Sequence, residues 1–220
     1  MIKNLLGRAL VILLNNPFLL AQHHEKCGFD HKHNQLLLNK AYRDFINKTE
    51  SEIQKFKLSQ SKSSTEIYTI PVVVHVLHLG EAVGVGTNIS DAQINSAITH
   101  LNQVYRGQTA NSPVDFGIEF ILAQQDPNCN ATTGINRVDA SGVPNYSSGG
   151  VDYYGDGGEA DEDILKDLSR WPETEYFNIW IISEIENNNG LWGVQGYANF
   201  FSGSAYEGSM TVSYTHLRAH

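Results

Sequence analysis

The sequence predicts an α+β fold, in which a mixed, twisted β-sheet is backed by helices and preceded by a separate helical segment. Three observations lead to this prediction. Runs of β-branched residues alternate with stretches of helical periodicity. A polar, Ser-rich linker at residues 59–65 divides the chain. Residues 1–66 hold 10 Lys and Arg against 6 Asp and Glu, whereas the rest of the chain holds 5 against 18.

The composition excludes several classes of protein. The 220 residues are 41% hydrophobic and 18% charged, which is typical of globular domains rather than of disordered or coiled-coil chains. Because the part after residue 66 is strongly acidic, we do not expect nucleic acid as a partner. Two cysteines are too few for a scaffold built on disulfides.

The first 21 residues are typical of a secretory signal peptide. Lys3 and Arg8 give a basic start, an apolar run follows at residues 9–14, and Ala21 is a small residue at a suitable cleavage point. We therefore expect a secreted, extracellular protein that does not contact the membrane once residues 1–21 are removed. The alternative is that these residues stay in place as an N-terminal membrane anchor.

The remaining elements follow in order along the chain. A helix is predicted at 35–58, and a buried strand at 67–79, where residues 72–74 are apolar on both faces. Ser90 and Gln93 form a capping box that begins a helix, and Gly107 can end it. Residues 126–158 predict a loop, and 160–170 a short helix. Further strands are predicted at 116–123, 177–185 and 193–201.

Seven short segments carry a more specific signal: residues 70–78, 88–95, 101–106, 118–123, 133–137, 176–180 and 196–200. In this order they resemble the pappalysin and cytophagalysin family of secreted zinc metallopeptidases, which lies in the metzincin clan. The resemblance implies the N-terminal, upper part of a metzincin catalytic domain at residues 67–211. It also implies a pro-segment at 22–66, protein or peptide substrates, and Zn²⁺ as the cofactor of the full-length parent.

The zinc motif of that family does not occur in the chain. Metal-assisted peptide hydrolysis needs His-Glu-x-x-His on a helix, with two His ligands on one face and Glu as the base. Gly28 stands where residues 24–28 would need the second His, and Leu217 replaces Glu in residues 216–220. We therefore assign no catalytic residue and expect an inactive N-terminal portion of a secreted endopeptidase zymogen.

Two further expectations follow from the same resemblance. Residues 212–220 depart from the family pattern and are predicted to be a non-native tail. Without the zinc helix, the face of the sheet on which that helix packs in the family is expected to be open and apolar.

Cys27 has three possible roles. The resemblance implies that a pro-segment cysteine caps the catalytic zinc as a thiolate, which makes Cys27 a candidate metal ligand. An exported protein also permits a disulfide between Cys27 and Cys129. The third alternative is an unpaired thiol.

A second candidate metal site lies in the acidic stretch 152–163. Asp152, Asp156 and Asp163 fall at positions 1, 5 and 12 of a calcium-loop pattern, with Gly157 at position 6. The competing interpretation is a helix N-terminus enriched in acids. His75 and His78 are three residues apart on a predicted strand, so they point to opposite faces and are not expected to share a metal.

The resemblance also implies an edge strand that binds extended peptide substrates through its main chain, at Gly196, Tyr197, Ala198, Asn199 and Phe200. An ordinary structural strand is the alternative. Two other functions stay open: a secreted, non-enzymatic module that binds proteins, and an extracellular calcium-binding domain.

Overall fold

The computed structural model describes residues 27–59, 66–188, 193–199 and 210–214. The predicted signal peptide at 1–21 and residues 215–220 of the predicted tail lie outside the described residues. Within the described part, the longest and most apolar helices fall short of what a membrane span requires.

Residues 27–59 of the N-terminal segment contain two helices, α1 (Phe29–Leu36) and α2 (Lys40–Ser59). The predicted helix over 35–58 is confirmed for residues 40–58, but it is not continuous, because the chain breaks at residues 37–39 and residues 29–36 form a helix of their own. The Asn39 side chain accepts a hydrogen bond from the Ala41 amide at 2.8 Å and begins α2. Arg43 donates to the Leu37 carbonyl at 2.6 Å, which satisfies a main-chain group at the end of α1.

Six strands form one mixed sheet: β1 (Tyr68–His78), β2 (Ile118–Leu122), β3 (Ile135–Asp139), β4 (Phe177–Ile182), β5 (Gly196–Ala198) and β6 (Met210–Ser213). Their order is β2-β1-β4-β6-β5, and β3 pairs with the second half of β1. All neighbouring pairs are parallel except β5 and β6, which are antiparallel. The predicted α+β fold with a mixed sheet and backing helices is confirmed.

Strand β3 was missed because the prediction of a loop over 126–158 is wrong for residues 135–139. The strand is half-buried and includes Asn136 and Arg137, so it lacks the apolar alternation that indicates a strand. Pairing with β1 decides its conformation. Gly134 precedes it with a φ of +72°, and a Cβ there would lie 2.6 Å from the Ala123 amide nitrogen.

Three helices accompany the sheet: α3 (Asp91–Tyr105), α4 (Tyr146–Gly149) and α5 (Glu162–Asp167). The capping box at the start of α3 is confirmed, with Ser90 accepting from the Gln93 amide and Gln93 accepting from the Ser90 amide. Helix α3 packs on one face of the sheet, and α4 and α5 cover the other. Each face therefore has its own hydrophobic core.

Strand β6 crosses the boundary predicted between the domain and the tail. Val212 and Ser213 belong to β6 and pair with Ile181 and Ile182 of β4. The secondary structure thus does not end where the family pattern does, and the non-native tail stays a prediction.

Candidate functional site: the edge strand and the segment that covers it

Strand β5 forms one end of the sheet. Gly196, Tyr197 and Ala198 pair with β6 on one side, Asn199 follows the strand, and Phe200 lies outside the described residues. On its other side, Cys27 forms a parallel bridge with Gly196. The Gly28 amide donates to the Gly196 carbonyl at 2.9 Å. The strand predicted to bind substrate is thus already paired with the N-terminal segment.

Gly28 is held against the domain by a close approach of Tyr153. The Tyr153 hydroxyl donates a hydrogen bond to the Gly28 carbonyl. A Cβ on residue 28 would lie 2.7 Å from that hydroxyl oxygen, and Tyr153 is only 1% exposed. Glycine is favoured here because a Cβ would collide with a buried ring unless that ring shifted.

An apolar cavity of about 580 Å³ lies beside this pairing. Its walls come from α3, from strands β1, β4, β5 and β6, and from Cys27 and Phe29 of the N-terminal segment. Ile98, Ile181 and Val212 are among the lining side chains. The α3 side of the sheet is therefore apolar and partly open, and the exposed Cys27 thiol lies at the border of this cavity.

The two cysteines do not form a disulfide. Cys27 and Cys129 are both free and both exposed. The disulfide alternative is therefore wrong for this structure, which leaves a ligand role or an unpaired thiol for Cys27.

The acidic stretch does form a cluster, although with different members from those predicted. Asp152, Asp156, Glu159 and Glu186 each bring a carboxylate oxygen within 4.8 Å of the others. Asp163 lies in α5 and is not part of this group. Burial, followed by the neighbouring carboxylates, raises the pKa of Glu159.

Main-chain amides hold two of these carboxylates in place. Asp152 accepts from the amides of Gly155 at 2.5 Å and Gly157 at 2.9 Å, and Glu186 accepts from the Tyr154 amide at 2.8 Å. Glu186 could not be assigned from the sequence, because it follows β4 and joins the loop only through the fold.

The donor set of this cluster fits calcium rather than zinc. It consists of carboxylates alone, whereas zinc sites in proteins are built mainly from His and Cys. Within the described ranges, no other group of three or more ligating side chains comes together. The described residues therefore do not supply the ligands of a catalytic zinc site.

His75 and His78 take separate places, as predicted. His75 is fully buried, stacks on Trp180 at 5.0 Å, and bonds Asn178 Oδ1 through Nε2 at 2.9 Å. Burial lowers the pKa of His75 to about 4, although the Asn178 bond opposes this shift. His78 is half-buried, and its Nδ1 accepts from the Gly80 amide at 3.0 Å. Neither histidine is placed to share a metal with the other.

Comparison with known proteins gives relatives among solved structures alone, since no family model and no curated protein matches the sequence. Promirolysin from Tannerella forsythia, in a mutant form, is 29% identical with a TM-score of 0.57, over 86% of this chain and 59% of that chain. Mirolysin in complex with a small compound is 30% identical with a TM-score of 0.50, over 69% of this chain and 54% of that chain.

These neighbours are a metallopeptidase and its precursor, so the chain shares a metallopeptidase fold. The chain spans between half and three-fifths of the length of the solved structures that it matches.

Proposed function

We propose that this chain is the N-terminal part of a secreted, zinc-dependent endopeptidase zymogen of the pappalysin and cytophagalysin type. Residues 1–21 would be the signal peptide, 22–66 the pro-segment, and 67–211 the upper part of the catalytic domain. The observation that carries this proposal is the pairing of Cys27 and Gly28 with Gly196 on the edge strand β5.

This pairing has a direct consequence for substrate binding. An extended peptide adds to an exposed sheet edge through main-chain hydrogen bonds. Because the Gly196 carbonyl already accepts from the Gly28 amide, a substrate would have to displace the pro-segment to form that bond. The pro-segment therefore acts by competing for the same edge.

The comparisons support the assignment of a pro-segment. The similarity to promirolysin covers 86% of this chain, and the similarity to mirolysin covers 69%. The additional share is comparable in length to the described N-terminal segment, residues 27–59. A precursor form thus accounts for more of this chain than the form without its precursor segment.

Cys27 would be the inhibitory zinc ligand of the full-length parent. Its thiol is exposed at the border of the apolar cavity, next to β5, and thiolate is a strong ligand for zinc. Zinc, when bound, would supply an activated water for hydrolysis of the peptide bond. Since its His ligands are not among the described residues, this chain contributes the sheet, the edge strand and the inhibitory segment.

The test begins with the natural reading frame beyond the codon for Met210. A frame that continues into His-Glu-x-x-His-x-x-Gly-x-x-His supports the proposal, and one that stops after His220 overturns it.

The extended protein should hydrolyse peptides in a chelator-sensitive manner after cleavage in residues 60–65. Before cleavage, Cys27→Ala should raise its basal activity, whereas Cys129→Ala, the matched exposed cysteine, should not. Equal basal activity in both variants would exclude the role of Cys27.

A second candidate function is calcium binding by Asp152, Asp156, Glu159 and Glu186, supported by the convergence of their oxygens. Calcium should raise the thermal midpoint of the chain. Glu186→Gln should abolish this shift, while Asp163→Asn should leave it intact, because Asp163 is outside the cluster. No calcium-dependent shift in the unmodified chain would exclude this function.

A non-enzymatic binding module is distinguished by the same extended protein. Stoichiometric binding of a peptide at β5 without turnover would support the module and contradict the endopeptidase.

A further inference from the structure

Lys32 of α1 extends from the N-terminal segment into the domain. Its Nζ lies 3.0 Å from Glu162 Oε2, and the two side chains are 20% and 16% exposed. An ion pair with so little contact with water is screened far less than a surface pair. The contact joins residues that are 130 positions apart in the sequence.

The domain provides a complete environment for this ammonium group, which we call the Glu162 pocket: Glu162, Lys166, Tyr153 and Tyr197. Lys166 lies 2.5 Å from Glu162 Oε1, so that each carboxylate oxygen faces one ammonium group. The Nζ of Lys32 lies 5.0 Å from the ring centre of Tyr153 and 5.5 Å from that of Tyr197. Both distances are within the range of a cation–π interaction.

The electrostatics of Glu162 follow from this arrangement. Burial alone would raise the pKa of Glu162, but the charges of Lys166 and Lys32 outweigh it and hold the pKa at about 2. Glu162 is therefore ionised at neutral pH, and its negative charge is shared between Lys166 of the domain and Lys32 of the N-terminal segment.

Other ion pairs of this segment are different in kind. Lys40 with Asp44 and Lys48 with Glu52 lie within α2, and every one of these side chains is at least 60% exposed. Exposed pairs at this spacing contribute only a few tenths of a kcal/mol to helix stability. They hold nothing to the domain, whereas Lys32 spans the interface.

We propose that Lys32 is the anchor that fixes the N-terminal segment in the Glu162 pocket and thereby keeps residues 27–28 paired with β5. Lys32 is a positioning residue, because it acts on residues 27–28 through the backbone of α1. It meets β5 only through the ring of Tyr197 and not through the main chain of the strand. The anchoring contact lies within this chain and does not depend on the function of the full-length parent. Its consequence, that latency depends on a salt bridge as well as on Cys27, rests on the proposed function.

The test is hydrogen–deuterium exchange on the full chain, compared between the unmodified protein, Lys32→Met and Lys40→Met. Methionine keeps an unbranched stem and removes the charge, and Lys40 is the matched lysine whose pair is exposed. We expect Lys32→Met to speed exchange of amides 27–36 by roughly tenfold or more. Lys40→Met should leave it unchanged, and strands β1 and β4 should stay protected in all three proteins.

If amides 27–36 of Lys32→Met exchange at a rate within about twofold of the unmodified chain, the anchor is overturned. Loss of a charged hydrogen bond should accelerate exchange by more than this. A double-mutant cycle tests whether the effect runs through Glu162. In a background that carries both Glu162→Gln and Lys166→Met, neither of these positions is charged. Adding Lys32→Met to this background should not accelerate exchange of amides 27–36 any further. A full effect in that background would show that the Lys32 charge acts through the rings of Tyr153 and Tyr197, and would overturn Glu162 as its partner.

These results are independent of peptidase activity. The anchor can fail in the exchange experiment while the extended protein still hydrolyses peptides. Conversely, an inactive extended protein leaves the exchange results intact, so that failure of the anchor and failure of the zymogen proposal are distinguishable.

Discussion

The two faces of the sheet differ in how completely they are covered. On the face of α4 and α5, Trp180, Tyr146 and Leu165 are at most 1% exposed and belong to a closed core. On the face of α3, an equally apolar set of side chains borders the cavity of about 580 Å³. Neighbouring residues of the same strand, such as Ile181 and Ile182, contribute to opposite faces. The sheet itself is therefore not what distinguishes them.

The two faces differ because different parts of the chain cover them. The chain between β3 and β4, including two short helices, covers the closed face. Helix α3 covers the open face, with Cys27 and Phe29 at its border. Protein interiors pack without large voids, so an apolar cavity of this size indicates room for a further element. Under the proposed function, that element is the zinc helix of the full-length parent.

The largest effect is expected from shortening a leucine on each face. Leu165→Ala on the closed face should lower the free energy of unfolding by about 2–5 kcal/mol, because it leaves a void among buried neighbours. Leu101→Ala, on α3 beside the cavity, should cost less than half as much, since its side chain already borders open space. Urea unfolding of both variants measures this, and equal losses would show that the open face is packed as tightly as the closed one.

Lowering the pH should reduce the free energy of unfolding through His75, which stacks on Trp180 of the closed face. Its pKa is about 4 in the folded state, against 6.5 for an unperturbed imidazole, so the unfolded chain binds the proton more tightly. The free energy of unfolding should therefore fall by about 3 kcal/mol between pH 6.5 and pH 4 and change no further below that through this group. His75→Gln should remove this dependence, and His78→Gln should retain it. An unchanged profile in His75→Gln would exclude His75 as its source.

Replacing an alanine by leucine should also change the stability of the protein differently on the two faces. Ala160→Leu on the closed face should cost about 1–3 kcal/mol, because the residue is 1% exposed and has no space for a larger side chain. Ala97→Leu on α3 should be neutral or slightly stabilising, since it fills part of the cavity. Thermal unfolding measures both. A loss of stability in Ala97→Leu as large as that in Ala160→Leu would contradict the open face.

The smallest effect on global stability is expected at the border of the open face. Gly28→Ala should separate residues 27–28 from β5, because its Cβ would collide with the buried Tyr153 ring. The domain should lose no more than about 1 kcal/mol, since the change lies in a peripheral segment. Proteolysis of residues 27–36 should become faster. Gly142→Ala, which has no atom within 4 Å of the added Cβ, is the matched control and should behave as the unmodified chain.

The sequence predicted those parts of the fold that local patterns specify. The buried strand β1, the capping box of α3 and strand β4 follow from apolar runs and from hydrogen bonds between neighbouring residues. Strand β3 escaped prediction because only its pairing with β1 makes it extended. The break between α1 and α2 escaped prediction because Leu37, Ala41 and Phe45 keep a helical spacing across it, whereas the Asn39 cap begins a new helix there.

The candidate site shows the same division. Residues 196–200 were predicted as the edge strand from their resemblance to a family, and the structure places residues 196–198 in the last strand of the sheet. Glu159 and Glu186 were not predicted beside Asp152, because a cluster assembled from a loop and a residue after β4 leaves no spacing pattern in the chain.

By itself, the sequence determined the fold class and the segments whose periodicity selects helix or strand, since these depend on residues close together in the chain. Only the tertiary structure decided that Cys27 and Gly28 lie on Gly196, that Lys32 meets Glu162, and that one face of the sheet is closed and the other open. The first two of these contacts join residues more than 100 positions apart, where no local preference acts and only the folded chain brings the partners together.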